Sequence, residues 1–199
     1  MLYPVSLKPA ARGPFERLPW LSMGQLGMLL LLVSISVLFL AANVAVLITH
    51  AQAPADARPG LPWGTALSSG LLVLVSAELQ RGLGAMRGNR FTACLGSLRR
   101  ATLGAVGFLL AQAWNARELL AFDGAPAARK LFYFSYGLLV GLHALHVLGG
   151  FVPLLVVQSK VARHEYSSSR HAGLTFCVQY WHYLGVVWVL LLGTLLWIV

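Results

Sequence analysis

Five long apolar runs separated by short polar segments dominate this chain of 199 residues. Each run is long enough for an α-helix to cross the hydrocarbon core of a bilayer, which takes about 20 residues. Leucine, valine and alanine are frequent, and apolar and polar residues do not alternate, so we expect helices rather than barrel strands. The pattern predicts an all-α polytopic membrane protein, a single five-helix transmembrane domain over 22–199, with spans near 22–48, 63–86, 98–120, 131–159 and 172–199.

The segment before the first span is expected to be an extended cytoplasmic arm over 1–21, because it contains four prolines. The first span itself resembles a signal peptide, since Ala51-Gln52-Ala53 has the form of a cleavage site. Its apolar run of 27 residues (22–48) is much longer than the roughly 7–15 residues of a signal peptide. We therefore interpret it as a true membrane span.

Basic residues are concentrated on one side of the predicted bundle. That side carries eleven of them, namely Lys8, Arg12, Arg17, Arg81, Arg87, Arg90, Arg99, Arg100, Lys160, Arg163 and Arg170. The opposite side carries only four, which are Arg58, Arg117, Arg129 and Lys130. Cytoplasmic loops are enriched in lysine and arginine, so the N-terminus is predicted to be cytoplasmic and the C-terminus to lie outside.

The composition narrows the class of protein further. The chain is 58% hydrophobic and 11% charged, whereas soluble domains average about 25% charged residues. The net charge of +9 comes from basic residues at span ends and not from a stripe with aromatic neighbours, so no nucleic-acid partner is expected. Cys94 and Cys177 form no CxxC pair, and neither a disulfide framework nor a zinc or iron–sulfur site is indicated.

Two motifs containing histidine lie inside the last two spans. They read GLHALHVLGG over 141–150 and YWHYLGVVW over 180–188. His143 and His146 are three residues apart, so both project from one helix face. They lie roughly 18 and 22 Å into the fourth span, and His182 lies about 15 Å into the fifth from the other side. We expect the three imidazoles to meet in the inner half of the membrane.

These histidines are open to two interpretations. Neutral imidazole ligates metals and haem, and a b-type cytochrome would use His143 or His146 with His182 as axial ligands. Alternatively each histidine bonds a neighbouring helix and fixes its packing. The second interpretation is favoured because there is no second set of paired histidines, and because no carboxylate stands beside them for acid–base chemistry. No metal site, no cofactor and no catalytic residue is therefore expected in this chain.

Other residues in the spans are candidates for packing or for lipid binding. Glu78 and Arg81 have the spacing of an ion pair within one helix, and Glu78 is also a candidate for a role in proton movement. Trp181 and Trp188 are seven residues apart and form a stripe that would line a groove filled by lipid. Arg81, Arg99 and Arg100 at the inner face would bind phosphate.

Gly137 and Gly141 form a GxxxG step in the fourth span. Small residues at this spacing let transmembrane helices approach closely. A helix contact is therefore expected at this step.

The two histidine motifs resemble those of subunit III of haem–copper terminal oxidases, the cytochrome c oxidase and quinol oxidase family. That family reads GlHglHVxxG in one helix and YWHFvDvVW in the last, in this order and at about this separation. Weaker similarities are Ser68-Ser69 opening the second span and Gln112 in the third. The similarity extends over nearly the whole chain from about Gly24, and five spans correspond to the short bacterial form of the subunit.

The resemblance implies a function as an accessory subunit. In that family the chain binds no redox centre, packs against catalytic subunit I, holds structural phospholipid and supports proton uptake and durability during turnover. Haem and copper are expected on partner subunits I and II of a complex that reduces oxygen to water and builds a proton gradient in the bacterial inner membrane. An accessory subunit of a nitric-oxide reductase is the related alternative.

Three positions depart from the family pattern. The family commonly carries a buried Glu in the helix corresponding to the first span, where this chain has Ser34 and Ser36. The Asp of the last motif is replaced by Gly185, and the Glu after the family's Gln is replaced by Ala113. These losses favour a structural and lipid-holding role over a role in collecting protons.

Overall fold

A computed structural model describes residues 22–52, 64–120 and 127–198, and within these ranges the chain is helical, with no strand. The predicted arm at 1–21, the prolines of the predicted outer loops, and Trp63 and Val199 at the ends of predicted spans lie outside the described residues. The five helices are α1 Met23–Gln52, α2 Gly64–Arg87, α3 Phe91–Leu120, α4 Ala127–Ala162 and α5 Ala172–Ile198.

The expectation of an all-α polytopic membrane protein is confirmed. Among the described residues, α1, α3, α4 and α5 are each long and apolar enough to cross a membrane. The helix α2 is also long, at 24 residues, but it contains Glu78, Arg81 and several glycines and is less apolar than the others. Because α2 buries much of its surface against the rest of the bundle, it presents less of itself to lipid and needs fewer large apolar side chains.

The helices α4 and α5 form the centre of the bundle. They pack on each other, and α1 contacts both of them on one side. On the other side α2 and α3 form a closely packed hairpin, in which α3 contacts α4 and α2 contacts α5. The helix α4 therefore has an outward face between α1 and α3. The helix α5 has an outward face between α1 and α2.

A tight turn joins α2 to α3. Asn89 has φ 55°, and asparagine tolerates this left-handed conformation better than most residues. The Arg90 amide donates to the Ala85 carbonyl at 2.9 Å, which closes the end of α2. The Asn89 side chain also accepts a hydrogen bond from the Ser168 amide at 3.1 Å. The α2–α3 turn and the α4–α5 loop therefore lie on the same side of the bundle, as the alternation of spans predicts.

Gly150, and not Gly141 of the predicted GxxxG step, lies in close contact with α5. A Cβ placed on Gly150 would lie 3.0 Å from Cε1 of Tyr180 and 3.2 Å from the indole ring of Trp181. A Cβ on Gly141 would meet nothing within 4 Å. The expectation of a helix contact at Gly141 is wrong, because the glycine spacing does not fix which side of α4 faces a neighbour.

Candidate functional site

His143 lies at the centre of the bundle inside a cage of aromatic rings. Its ring centroid is 6.0 Å from that of Phe39 on α1, 5.6 Å from Phe108 on α3 and 5.1 Å from Trp188 on α5. The side chain is fully buried, and among the described residues neither ring nitrogen has a hydrogen-bond partner. His143 therefore connects α4 to three other helices through ring packing, with at most weak N–H···π contacts.

His146 lies one turn along the same face of α4. Its Nδ1 is 2.7 Å from the Leu142 carbonyl oxygen, and because a carbonyl can only accept, Nδ1 carries the proton. Its ring centroid is 5.1 Å from that of Phe39, so both histidines of the motif contact this phenylalanine. The backbone carbonyl of His146 accepts a hydrogen bond from the Tyr180 hydroxyl at 2.9 Å. A hydrogen bond therefore joins the first motif, on α4, directly to the second motif, on α5.

His182 is turned toward α2. Its Nε2 lies 3.2 Å from Oε1 of Gln80, and its Nδ1 is hydrogen-bonded to the Ser76 hydroxyl. An amide oxygen accepts, so Nε2 is the donor to Gln80 and Ser76 donates to Nδ1. Both imidazole nitrogens of His182 are therefore used within the chain.

The expectation that the three histidines meet is wrong. His143 and His146 point toward Phe39, whereas His182 points to α2, because similar depth in the membrane does not fix the rotation of a helix about its axis. The alternative of a haem held between His143 or His146 and His182 does not fit this geometry either. In the part of the chain that the structure describes, no group of three or more His, Cys, Asp or Glu is arranged to hold a metal ion.

The two tryptophans of the second motif are buried, although Trp188 also lines the groove between α2 and α5, so the expectation that they line a groove for lipid stays a prediction. The indole nitrogen of Trp181 donates to the Gly150 carbonyl at 3.3 Å, across the α4–α5 contact. That of Trp188 donates to Ser69 Oγ on α2 at 2.9 Å. The two indole rings lie on one side of α5, as expected. That side faces the interior of the bundle, because each indole N–H donates to an acceptor on a neighbouring helix.

Ser68 and Gln112, two residues on which the weaker similarity to the family rests, are in contact. Gln112 on α3 donates to Ser68 Oγ on α2 at 3.1 Å, and both side chains are buried. Ser68 in turn donates to the Thr65 carbonyl at 3.0 Å. Hydrogen bonds of this kind between transmembrane helices contribute about 0.6 kcal/mol on average. They fix the orientation of α2 against α3 more than they stabilise the bundle.

A buried carboxylate joins α2 to α3 near their turn. Glu78, whose side chain is 5% exposed, accepts from Arg81 at 2.7 Å through Oε1. Its Oε2 accepts from Nε of Arg100 at 3.0 Å, and Nη2 of Arg100 lies 2.8 Å from the same oxygen. Arg100 also donates to Ser97 Oγ at 3.1 Å. The structure contains the expected Glu78–Arg81 pair and adds Arg100, which sequence spacing did not indicate.

The arginines of this cluster keep donors directed outward. The side chains of Arg81 and Arg100 are 67% and 58% exposed, and Arg99 beside them is also exposed. The cluster carries three positive charges against one negative charge. It therefore has an excess of positive charge at the end of the bundle where the α2–α3 turn lies, where an anionic group would be attracted.

Ser34 and Ser36 lie in the helix where the resemblance led us to expect a buried acid, and both are hydrogen-bonded. Ser34 Oγ donates to the Leu30 carbonyl at 2.9 Å. The Ser36 hydroxyl lies 2.8 Å from the Leu32 carbonyl and 2.8 Å from the Tyr183 hydroxyl on α5. Here a neutral pair links α1 to α5.

Two open grooves run along α5. The groove between α1 and α5 has a volume of about 460 Å³ and includes Ser36 and Tyr183. The groove between α2 and α5 has a volume of about 470 Å³ and includes Ser76 and His182. A smaller cavity of about 210 Å³ lies between Thr65, Gln112, Tyr136 and Trp188. All three are lined mainly by apolar side chains.

The fold and the site define a polytopic helical membrane protein whose motif residues hold helices together. Residues 59–199 match the family model described as cytochrome c oxidase subunit III. This match covers well over half of the chain, and the chain belongs to the subunit III family of haem–copper oxidases.

Relatives from several organisms agree with this assignment. Cytochrome c oxidase subunit 3 of Branchiostoma lanceolatum is 30% identical over 145 residues, covering 72% of this chain and 51% of the relative. Subunit 3 of Paracentrotus lividus is 29% identical over 141 residues, covering 70% and 49%. Cytochrome bo(3) ubiquinol oxidase subunit 3 of Pseudomonas aeruginosa is 29% identical over 89 residues, covering 42% and 43%. The chain spans about half the length of the curated relatives it matches.

Proposed function

We propose that this chain is a non-redox accessory subunit of a bacterial aerobic terminal oxidase, and that it stabilises the catalytic subunit and holds structural phospholipid. One observation carries the proposal. The polar residues of the two family motifs are used to join α4 to α5 and α5 to α2, through Tyr180, Trp181 and His182. Side chains committed to helix packing are suited to a scaffold and are not placed for electron transfer.

The partners proposed for this scaffold are catalytic subunit I and subunit II of the oxidase. Haem and copper would be carried by those subunits, and oxygen reduction to water coupled to a proton gradient would be the activity of the complex. The relatives named as cytochrome c oxidase and as ubiquinol oxidase subunits support both types of electron donor equally.

Removing the subunit tests the proposal. We expect an oxidase purified without this chain to keep most of its initial oxygen-reduction rate at neutral pH and to inactivate sooner during turnover. The physical reason is that, if Ser36 stands where the family carries its acid, its neutral pair with Tyr183 offers no titratable carboxylate there, and proton delivery then depends on other subunits. Oxygen consumption is followed to completion from acidic to alkaline pH, with and without the chain.

Two results would contradict this proposal. An immediate, pH-dependent loss of the initial rate with unchanged durability would assign a proton-carrying role to this chain, and Glu78 would be the first residue to replace. A purified chain that is associated with no oxidase subunit would remove the proposed function altogether. Ser36→Glu should change neither rate nor durability, because a lone carboxylate in this position would take up a proton and become neutral.

The phospholipid part of the proposal places a lipid phosphate at Arg81 and Arg99, where donors are exposed. We expect Arg81→Gln/Arg99→Gln to lower the phosphate retained by the delipidated complex by about one per chain, since each arginine contributes about 1 kcal/mol near an anionic surface. Arg163→Gln/Arg170→Gln removes the same charge from the α4–α5 loop and serves as the control. Equal phosphate in both variants and in the unaltered complex would rule out this lipid site.

The proposed orientation in the bacterial inner membrane has the N-terminus in the cytoplasm and the C-terminus outside, from the excess of inner basic residues. A periplasmic reporter fused after α5 should be active, and a cytoplasmic reporter fused there should be silent. The same pair of reporters fused in the α4–α5 loop after Ser168 should give the reverse result. Cytoplasmic activity after α5 would mean that one helix, with α2 the first candidate, does not cross.

A further inference from the structure

The GxxxG step of α4 borders a cavity. Gly137 and Gly141 both line the space of about 210 Å³ that lies between α3, α4 and the buried ring of Trp188 on α5. We call this space the α3–α4 cavity. A Cβ on Gly141 would meet nothing within 4 Å, and Gly141 is exposed, so the cavity opens to the surface of the bundle at this residue. The two glycines therefore leave an open space beside α4.

The polar side chains that line the α3–α4 cavity have unused capacity to form hydrogen bonds. Each of them is at most 8% exposed, and they are Thr65, Gln112, Asn115 and Tyr136. Oδ1 of Asn115 is buried without a partner, and the Tyr136 hydroxyl bonds no other described residue. The Gln112 amide donates to Ser68, and its oxygen keeps acceptor capacity. Buried polar groups normally have partners, so this lining indicates a ligand that supplies them.

Asn115 can serve as either a donor or an acceptor for such a ligand. Its Oδ1 lies against the first residue of α2, because a Cβ on Gly64 would collide with this oxygen. The N–H₂ group of the same amide is then the atom that is free to donate into the cavity. Turning the amide over exchanges the two groups and presents the oxygen instead.

The lining is polar on two sides and apolar at its deeper end. Gln112 and Asn115 belong to α3, whereas Tyr136 belongs to α4. Asn115 and Tyr136 lie roughly 8 Å from the nearer ends of their predicted spans, and Trp188 lies roughly 16 Å from the nearer end of its own. Among the described residues that line the cavity, none is charged. The site is therefore suited to an uncharged ligand that has polar groups on opposite edges.

The size of the cavity narrows the ligand further. A cavity of about 150 Å³ holds one benzene molecule, so about 210 Å³ accommodates one substituted ring. A phosphate headgroup would find no cation among the lining residues, and an acyl chain would leave the polar groups without partners. A flat ring with an oxygen on each of two opposite edges can bond Asn115 on α3 and Tyr136 on α4 at once.

We infer that the α3–α4 cavity binds the ring of a membrane quinone or quinol. Its oxygens are hydrogen-bonded to Asn115 and Tyr136, its apolar face lies beside Trp188, and its tail leaves the cavity at Gly141. Carbonyl oxygens of a quinone accept from both side chains, and hydroxyls of a quinol donate to the Asn115 oxygen and accept from Tyr136. The inference concerns binding alone. It does not depend on the proposed membership in an oxidase complex, because every residue of the site belongs to this chain.

Photolabelling with an azido-substituted, short-tailed benzoquinone tests the inference on the full chain, purified with the subunits that accompany it. Only labelled peptides of this chain are counted, so a quinone site on another subunit does not interfere. Label should appear on α3 or α4 beside the cavity and should be displaced by unlabelled benzoquinone. Gly141→Leu should lower it at least fivefold, because four added carbons occupy the opening. Gly149→Leu adds the same side chain at an exposed glycine of α4 outside the cavity and should leave labelling within twofold.

A second variant tests the hydrogen bond and does not change the packing of the ring. Tyr136→Phe removes only the hydroxyl, and it should raise the benzoquinone concentration for half-maximal labelling about fivefold, as expected for one hydrogen bond. Labelling equal in the Gly141→Leu, Gly149→Leu and unaltered chains would overturn the inference. So would label confined to helices away from the cavity, label displaced by phospholipid and not by benzoquinone, or the absence of saturable label, which would assign the cavity to water. None of these results bears on the effect of removing the subunit, so the inference and the proposed function fail separately.

Discussion

Arg100→Gln is expected to lower the free energy of unfolding of the chain by about 3 kcal/mol, because it leaves a buried carboxylate short of a partner. Glu78 would retain only Arg81, whose side chain is 67% exposed and pairs through a single oxygen. Oε2, which now accepts from Arg100 and belongs to a side chain that is 5% exposed, would lose its charged donor. The measurement is the midpoint of unfolding in sodium dodecyl sulfate, followed by circular dichroism of the purified chain.

The reverse change should be much milder. Glu78→Gln removes the buried charge and leaves two arginines that are exposed enough to be solvated, so we expect a loss below about 1 kcal/mol. Glu78→Gln/Arg100→Gln should recover most of the stability lost in Arg100→Gln alone. Arg99→Gln is the control, since Arg99 is the exposed neighbour and should change stability by less than about 0.5 kcal/mol. If Glu78→Gln lowers the free energy of unfolding as much as Arg100→Gln does, the negative charge of Glu78 is itself required for stability. The loss in Arg100→Gln would then not come from an unpaired carboxylate.

This cluster illustrates what the sequence can and cannot predict. The Glu78–Arg81 contact follows from helical periodicity, because residues three apart share a face. The Arg100 contact depends on how α3 is rotated against α2 after the turn at Asn89, and no local pattern encodes that rotation. The same distinction applies to the helices as a whole. Their number follows from runs of apolar residues, while the faces that meet do not.

The tryptophans and histidines of the two motifs show the same limit. Their spacing correctly places Trp181 and Trp188 on one stripe, and His143 with His146 against one neighbour, Phe39. In a soluble helix the apolar side would identify the buried face. A membrane helix such as α5 is apolar all round, so hydrophobicity does not distinguish the interior from lipid. For this reason the spacing alone did not show that both rings are almost fully buried, with Trp188 at the edge of the groove between α2 and α5.

Gly150→Leu is expected to separate α4 from α5 and to lower the free energy of unfolding by about 3 kcal/mol or more, because overpacking adds to the loss of hydrogen bonds. Even a single added carbon would lie 3.0 Å from the Tyr180 ring and 3.2 Å from the Trp181 ring, and leucine adds three more. The displacement would also weaken the bonds from Tyr180 to the His146 carbonyl and from Trp181 to the Gly150 carbonyl. The amount of chain in the membrane should fall, as measured by immunoblot, together with the unfolding midpoint.

Gly149→Leu provides the control one residue away on the same helix. A Cβ on Gly149 would meet nothing within 4 Å, and the residue is exposed on the surface of α4. The two variants add the same side chain at almost the same depth, so differences in membrane insertion or helix propensity largely cancel. If Gly149→Leu lowers the unfolding midpoint as much as Gly150→Leu does, the loss comes from replacing a glycine in this part of α4. It would then not come from crowding at the α4–α5 contact. Stability preserved in both variants would mean that the two motifs do not hold this helix pair together, and the scaffold role proposed for them would fail with it.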